Sequence, residues 1–326
     1  MKSASVLWVA IMGLFDSVRV DGFHKLRRSI KSLRFYSDKR VDQEQPDADN
    51  RFQSFVTILD EGPHHLVVAK PPSVICHHSE WSGSRSQLEI PMLQRVREAV
   101  QRRVNLVHRL DRGASGCLLL TFADDGDCTT ILSEAMKRAN KTYVAIVRGE
   151  GILHGEDLKQ KGWFSVDRPI KNERGQINDA TTFFRFVSGQ DNGSGGMDRP
   201  RASLVLARPV TGRWHQVRRH LNGLSHPILG DSSHGNSKTN REWREKYGLS
   251  PERTCLHLLQ LSLPPTDCCQ GGIQVHCPLA EDMMELLEKH LPQVLKDARP
   301  VLSEEGISLC SDALFKKIPV RIDIND

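Results

Sequence analysis

The sequence predicts an α+β domain built on a mixed, mainly antiparallel sheet with flanking helices. Apolar or alternating β segments recur along its 326 residues, helical periodicity is confined to a few stretches, and the two do not alternate in the βαβ rhythm of a parallel sheet. No internal repeat is visible. The length suffices to bury a full core in one domain, placed at residues 51–298, with a leader and linker at 1–50 and a tail at 299–326.

The elements follow in order. Residues 66–69 and 117–122 are apolar runs that read as buried strands. Residues 91–104 read as a helix with Leu93, Val96 and Val100 inward, and 127–140 as a second that buries Ile131, Leu132, Ala135 and Met136. Residues 142–148 alternate as a strand, setting Tyr143, Ala145 and Val147 on one face and Val144 and Ile146 on the other. Residues 181–187 and 203–207 read as a hairpin joined by a polar, Gly-rich excursion at 188–200, long enough to be mobile. Residues 214–221 read as a helix with Trp214, Val217 and Leu221 facing inward.

The ends and the composition bound the rest. Residues 6–15 (VLWVAIMGLF) are apolar but too few to span a bilayer, and 23–37 (FHKLRRSIKSLRFYS) form a basic amphipathic pattern without an acidic residue. This predicts a targeting leader, mitochondrial, with a plastid as the alternative and a disordered basic tail that holds RNA as the plain reading. A mature chain off the membrane and a monomeric state are expected. The net charge of +5 favours a polyanionic partner without requiring one. Arginines crowd two places, Arg95, Arg97, Arg102 and Arg103 in one and Arg213, Arg218 and Arg219 in the other. Such clusters are ordinary solvated faces, or phosphate contacts if the partner is a nucleic acid. Eight cysteines show no C-x-x-C pair, which supports neither a disulfide framework nor a zinc site; Cys268, Cys269, His276 and Cys277 read as reduced thiols and a histidine that happen to lie close. His215, His220 and His226 lack the H-E-x-x-H spacing and read as structural. No metal is expected.

The most informative segment is His108-Arg109-Leu110-Asp111-Arg112-Gly113-Ala114-Ser115-Gly116, which runs into the strand Cys117-Leu118-Leu119-Leu120. It places a carboxylate on a glycine-bracketed loop at the rim of a buried strand, a rigid base for a reacting group. Gly113 and Gly116 are expected to supply turns with positive φ. A bare R-x-D would be a structural ion pair. The full string resembles the catalytic motif of the RluA-type pseudouridine synthases, HRLD followed by two residues, TSG and an apolar strand. Four further segments are similar to that family in the same order: ILDEGPHHLVVAKPPSVICH at 58–77, KTYVAIVRG at 141–149, TGRWHQVRRHLNGLSHPILGD at 211–231, and LHLLQLSL at 256–263 with Pro278-Leu279. The doubled arginine Arg218-Arg219, the Ser233-His234-Gly235-Asn236 continuation and NREWREKYGL at 240–249 resemble the branch of tRNA pseudouridine synthase C.

The resemblance implies a pseudouridine synthase fold, a bent sheet split by a central cleft. It implies an isomerase that turns a uridine of RNA into pseudouridine without cofactor or metal. The expected RNA is tRNA, at the junction of the T stem and the acceptor stem, with ribosomal RNA as the alternative. It gives Asp111 the role of reacting carboxylate, by covalent addition to the sugar or base or by taking a ribose proton. A carboxylate in a cleft closed by RNA needs a cation to offset its desolvation; Arg218 is favoured, with Arg213 next, and a buried structural pair is the plain alternative. Tyr143 would stack on the flipped base and take its C5 proton. His108, Arg109, Arg213, His215, Gln216 and Arg219 would contact RNA. One departure stands out: Ala114 occupies the place of the family's usual Thr, which could weaken the loop by about 1 kcal/mol. A non-catalytic RNA-binding factor is the second class of function. A carboxylate glycosidase is the third, and it requires a second carboxylate opposite the first.

Overall fold

The computed structural model of the chain describes residues 53–78, 89–190 and 200–321. The expected leader and nearly all of the Gly-rich excursion (191–199) lie outside the described residues. In chain order the main elements are β1 (Gln53–Glu61), β2 (His65–Lys70), α1 (Met92–Val100), β3 (Val104–Leu106), β4 (Ser115–Phe122), α2 (Cys128–Ala135), β5 (Asn140–Arg148), β6 (Phe164–Asp167), β7 (Thr181–Gln190), β8 (Ala202–Pro209), α3 (Gln216–Gly223), α4 (Ser237–Tyr247), β9 (Leu256–Leu263), β10 (Ile273–His276), α5 (Glu281–His290), α6 (Pro292–Glu304) and β11 (Lys316–Arg321).

These strands form one α+β sheet in the spatial order β11-β1-β2-β4-β9-β5-β8-β7-β6. Its neighbours pair antiparallel except β4 and β9, which run parallel over two residues, His257 opposite Ser115 and Leu258 opposite Gly116. There the sheet forks. β4 leaves β9 and takes β3 along 120–122, while β9 takes β10 along 260–263. β2 remains paired with β4 over its whole length, so the fork opens on one edge of β4 alone.

The fork explains two cores instead of one. Leu66, Val68, Leu118, Leu120, Val96 and Leu132 pack β2 and β4 against α1 and α2. Ile146, Phe184, Phe186, Leu204, Leu221, Leu287 and Val294 pack β5, β7 and β8 against α3, α5 and α6. Tyr143 touches both clusters. β4 is buried on both faces, which is why its sequence reads as a continuous apolar run.

Several expectations are corrected. The first helix stops at Val100, because Gln101 adopts a left-handed conformation (φ 52°) and the chain turns into β3. The second stops at Ala135, and β5 begins by Asn140. The helix expected from Trp214 begins at Gln216, because His215 is left-handed (φ 53°) at its N-cap. Trp214 therefore precedes the helix and is 41% exposed instead of inward. The segment from residue 299, expected to be a tail, completes α6 and then adds β11 to the edge of β1. Val320 is buried there, so the segment belongs to the domain.

Candidate active site

The loop before β4 is fastened from three sides. Leu110 is held by Cys76, whose thiol donates to the Leu110 carbonyl (3.3 Å) and accepts the Leu110 N–H (3.4 Å). The Lys70 ammonium, 1% exposed at the end of β2, donates to the carbonyls of Pro71, Arg112 and Ala114 at 2.9, 3.1 and 2.7 Å. Arg253, fully buried, donates to the Gly113 carbonyl and to Ser115 Oγ, both at 2.8 Å, and pairs with Asp282 on α5. Burial lowers the Lys70 pKa to about 8, so its three carbonyl acceptors face a cation at neutral pH. Ala114 is 1% exposed, and its carbonyl and N–H make the loop's bonds to Lys70 and to the Asp111 carbonyl. The loop is thus held through its backbone, and the missing Thr hydroxyl leaves none of these bonds unmade.

Of the two glycines, Gly116 adopts the expected positive φ and Gly113 does not. Gly116 has φ +117°, and a Cβ there would sit 2.3 Å from the Leu258 carbonyl. Gly113 does not adopt positive φ; it is required because a Cβ would meet Thr254 Oγ1 and the Glu252 carbonyl at 2.7 Å. Close passage of the Glu252–Thr254 segment ahead of β9, not positive φ, accounts for Gly113.

Asp111 projects from this loop with its side chain 32% exposed, into a cleft of about 580 Å³. The Arg218 guanidinium donates from Nη1 to Asp111 Oδ2 at 2.7 Å. Through Nε and Nη2 it donates to both oxygens of Asp231, each at 2.7 Å. Arg213, weighed as the other partner, donates instead to the Asp179 carbonyl (2.9 Å). Burial alone would raise the Asp231 carboxyl, but Arg218 and the N–H groups of Ser233 and His234 outweigh it and hold it below the usual carboxylate range. Asp111's other oxygen lies 3.7 Å from His215 Nε2. His215 Nδ1 is hydrogen-bonded to His234 Nε2 at 2.9 Å, and Trp214 stacks on the His215 ring (4.1 Å, 25°). Burial lowers His215 to about 4, so it faces Asp111 as a neutral imidazole.

Tyr143 on β5 lines the same cleft. Burial, with Asp111 adding to it, raises its hydroxyl above the ordinary phenol range, so it remains a neutral phenol. Arg109 also lines the cleft. His108 does not: its Nε2 accepts the Leu119 N–H of β4 (3.1 Å), and burial lowers it to about 4. Gln216 is equally occupied. Its Oε1 accepts from Thr211 Oγ1 and the Arg213 N–H, and its Nε2 donates to the Thr181 carbonyl and Thr182 Oγ1, which fills all four of its positions. Arg219 donates to the Lys171 carbonyl, and its guanidinium lies 5.8 Å from the centre of the Trp214 ring. In the other arginine cluster, Arg95, Arg97 and Arg102 bond to Ile90, Val104 and the Asp124–Asp125 pair, which gives these three places within the fold.

The structure therefore brings together Asp111, Tyr143, Arg218, Arg109, Arg213, His215 and Gln216 around one cleft, with Gln216's polar atoms all engaged by protein, and sets His108 behind them as a support. Sequence reasoning missed Lys70, Cys76, Asp231, His234 and Arg253 as the groups that hold the site. Lys70 and Asp231 fall within the quoted segments, but only their burial marks them; Arg253 carries no local signal.

Comparisons with known proteins agree with this geometry. The RNA pseudouridylate synthase family matches residues 64–223. A tRNA pseudouridine synthase C of Haemophilus ducreyi is 33% identical over 225 residues, spanning 64% of this chain and 86% of the relative. That of Yersinia pestis is 31% identical over 210 residues, spanning 63% and 80%. Among solved structures, human RNA pseudouridylate synthase domain containing 4 superposes with a TM-score of 0.53 at 22% identity, covering 72% of this chain and 92% of that one. Human RNA pseudouridylate synthase domain containing 1 gives 0.52 at 22%, covering 75% and 94%. These two share the fold.

Proposed function

The chain belongs to the RNA pseudouridylate synthase family, as an RluA-type isomerase of RNA similar to tRNA pseudouridine synthase C, and on that premise we propose that Asp111 isomerises a uridine of tRNA. The proposed target lies where the T stem meets the acceptor stem. Isomerisation breaks the N1–C1′ bond, turns the base and forms C5–C1′; the C5 proton leaves and one is gained at N1. No atom is added, so a positioned carboxylate and a proton acceptor suffice.

The single observation that carries this reading is the division of labour on Asp111. One oxygen is fixed by Arg218, and the other faces the cleft and His215. The free oxygen can add to carbon or take a ribose proton, while Arg218 balances charge that the RNA would otherwise leave desolvated. Tyr143, a neutral phenol in the same cleft, stacks on the turned base, and its oxygen takes the C5 proton as it releases its own O–H proton to the cleft. Arg109, Arg213 and Arg219 meet the phosphates at the rim. Trp214 joins the site as an exposed ring beside His215.

A glycosidase needs a second carboxylate across the scissile bond. The carboxylate that shares Arg218 with Asp111, Asp231, is 1% exposed and hydrogen-bonded on both oxygens. It is on the far side of the guanidinium and cannot serve; Glu173 also lines the cleft, and it is the family membership, not the lack of a second carboxylate, that favours isomerisation over hydrolysis.

The test is tritium release from tRNA transcripts labelled at uridine C5, with the full chain and its Asp111→Asn variant. Release by the wild type and none by the variant is expected. Release from ribosomal RNA alone would move the substrate; RNA binding without release from either would leave a binding factor. The leader read at residues 1–50 is proposed to direct the chain to a mitochondrion, which a fluorescent fusion of that segment tests.

A further inference from the structure

Beside Asp111 lies a second cavity of about 360 Å³ that shares Asp111, Arg112, His215 and Arg218 with the main cleft. Its remaining wall comes from Gly113, the Gly230–Ser233 turn and the approach to β9 at Pro251, Glu252 and Thr254. Ser232, Ser233 and Thr254 bring hydroxyls, Glu252 a carboxylate and Arg112 a guanidinium. The backbone N–H groups of Ser233 and Thr254 in this wall brace Asp231 and the Gly113 carbonyl, while their hydroxyls and the Glu252 carboxylate take no part in those bonds.

The chemistry of the wall selects among occupants. Arg112 is already shared between Glu89 (3.0 Å) and Glu252 (3.4 Å), so the pocket carries no uncompensated positive charge. Asp111 and Glu252 both face it, and a phosphate seated there would meet two carboxylates. A neutral heterocycle with hydrogen-bond donors fits instead, and the volume lies at the small end of ligand pockets, enough for one nucleoside. The cavity adjoins Asp111, so a base seated there lies beside the target that Asp111 is proposed to meet.

We propose that this cavity seats the base next to the target uridine and that Glu252 selects guanine there. The proposal rests on the RNA isomerase reading above and names a specificity determinant for it. Glu252 is 42% exposed and only loosely engaged by Arg112, which leaves acceptor positions open on both oxygens. A carboxylate accepts and never donates. Among the four RNA bases, guanine alone offers two adjacent donors, N1–H and the N2 amino group, in the spacing of two carboxylate oxygens. Uracil, cytosine and adenine each set at least one acceptor against the carboxylate. A bidentate base contact discriminates by about tenfold or more.

The experiment uses the full chain and a pool of tRNA transcripts in which the nucleotides on both sides of each uridine are randomised. Pseudouridine is located by carbodiimide-adduct primer extension, and total turnover is followed by tritium release. The wild type should modify uridines with guanine at one fixed flank about tenfold more efficiently than the other three. Glu252→Gln should shift the preference to adenine, because an amide donates as well as accepts and matches the adenine edge. A switched preference cannot come from misfolding. Turnover without any flank preference, or a guanine preference unchanged in Glu252→Gln, would overturn the subsite and leave the isomerase reading intact. Absence of turnover on the whole pool would overturn the tRNA reading and this inference with it.

Discussion

Asp231 grips the Arg218 guanidinium by two parallel hydrogen bonds of 2.7 Å, from Nε to Oδ2 and from Nη2 to Oδ1. The fork is held side-on, and only Nη1 is left to reach Asp111. Asp231 thereby fixes the direction from which Asp111 meets its cation, although it never faces the cleft.

Replacing Asp231 by Ala strands a buried guanidinium and should cost about 3–5 kcal/mol of stability. Turnover of the protein that remains folded should fall through kcat with KM little changed, because the substrate does not touch Asp231. Urea unfolding and steady-state tritium release check the two halves separately. Arg218→Lys should lose turnover as well, since an ammonium cannot serve both carboxylates in a fixed plane.

Gly116→Ala should destabilise the chain by about 2–5 kcal/mol, from a φ of +117° forced on an L-residue and a Cβ driven into the Leu258 carbonyl. Gly126→Ala, also at positive φ but with nothing within 4 Å, should cost about 1 kcal/mol. Paired denaturant titrations with a common slope would establish the difference.

His108 gives the fold a pH dependence of known sign. Its folded pKa, about 4, lies below the ordinary value of 6.5, so the unfolded chain binds the proton first. Stability is fully present above pH 6.5 and is lost as pH falls toward 4, by up to about 3 kcal/mol. His108→Gln, which keeps an acceptor for the Leu119 N–H, should flatten that part of the stability profile. A steeper profile in the variant would contradict the assignment.

Trp214→Ala should weaken RNA binding by about 1–3 kcal/mol, the worth of one base stacked on an aromatic ring. Its effect on stability should stay within about 0.5 kcal/mol, as the side chain is exposed. Trp214→Phe should restore most of the affinity in a filter-binding assay. Loss of stability instead would mean that the ring supports His215 and nothing else.

What the sequence makes legible is local. The apolar run after Gly116, the alternation around Tyr143 and the ordered motifs were sufficient to place β4, β5 and the elements of the cleft. Trp214 was misjudged because helical periodicity was extended one residue past a left-handed His215, and a non-glycine residue with positive φ gives no compositional sign. His108 and Gln216 look like RNA ligands by their polarity; their bonds to β4 and to Thr181 and Thr182 exist only once the chain is folded. Lys70 and Arg253 were invisible for a related reason. Each is an ordinary surface type of residue, separated from the loop it holds by 44 and 140 positions, and its meaning lies entirely in burial.

The loop that carries Asp111 is pinned to one core through Lys70 and to the other through Arg253, at the place where β4 and β9 part. In the role proposed for Asp111, a carboxylate so anchored works like an anvil. It cannot travel to a buried base without tearing two cations from their carbonyls, so the journey falls to the polynucleotide. Under this mechanics, the cost of catalysis is set largely by how firmly the target nucleotide is stacked in its own helix. A uridine beside a bulge or a junction should therefore react faster than the same uridine inside a continuous duplex, with no change in the protein.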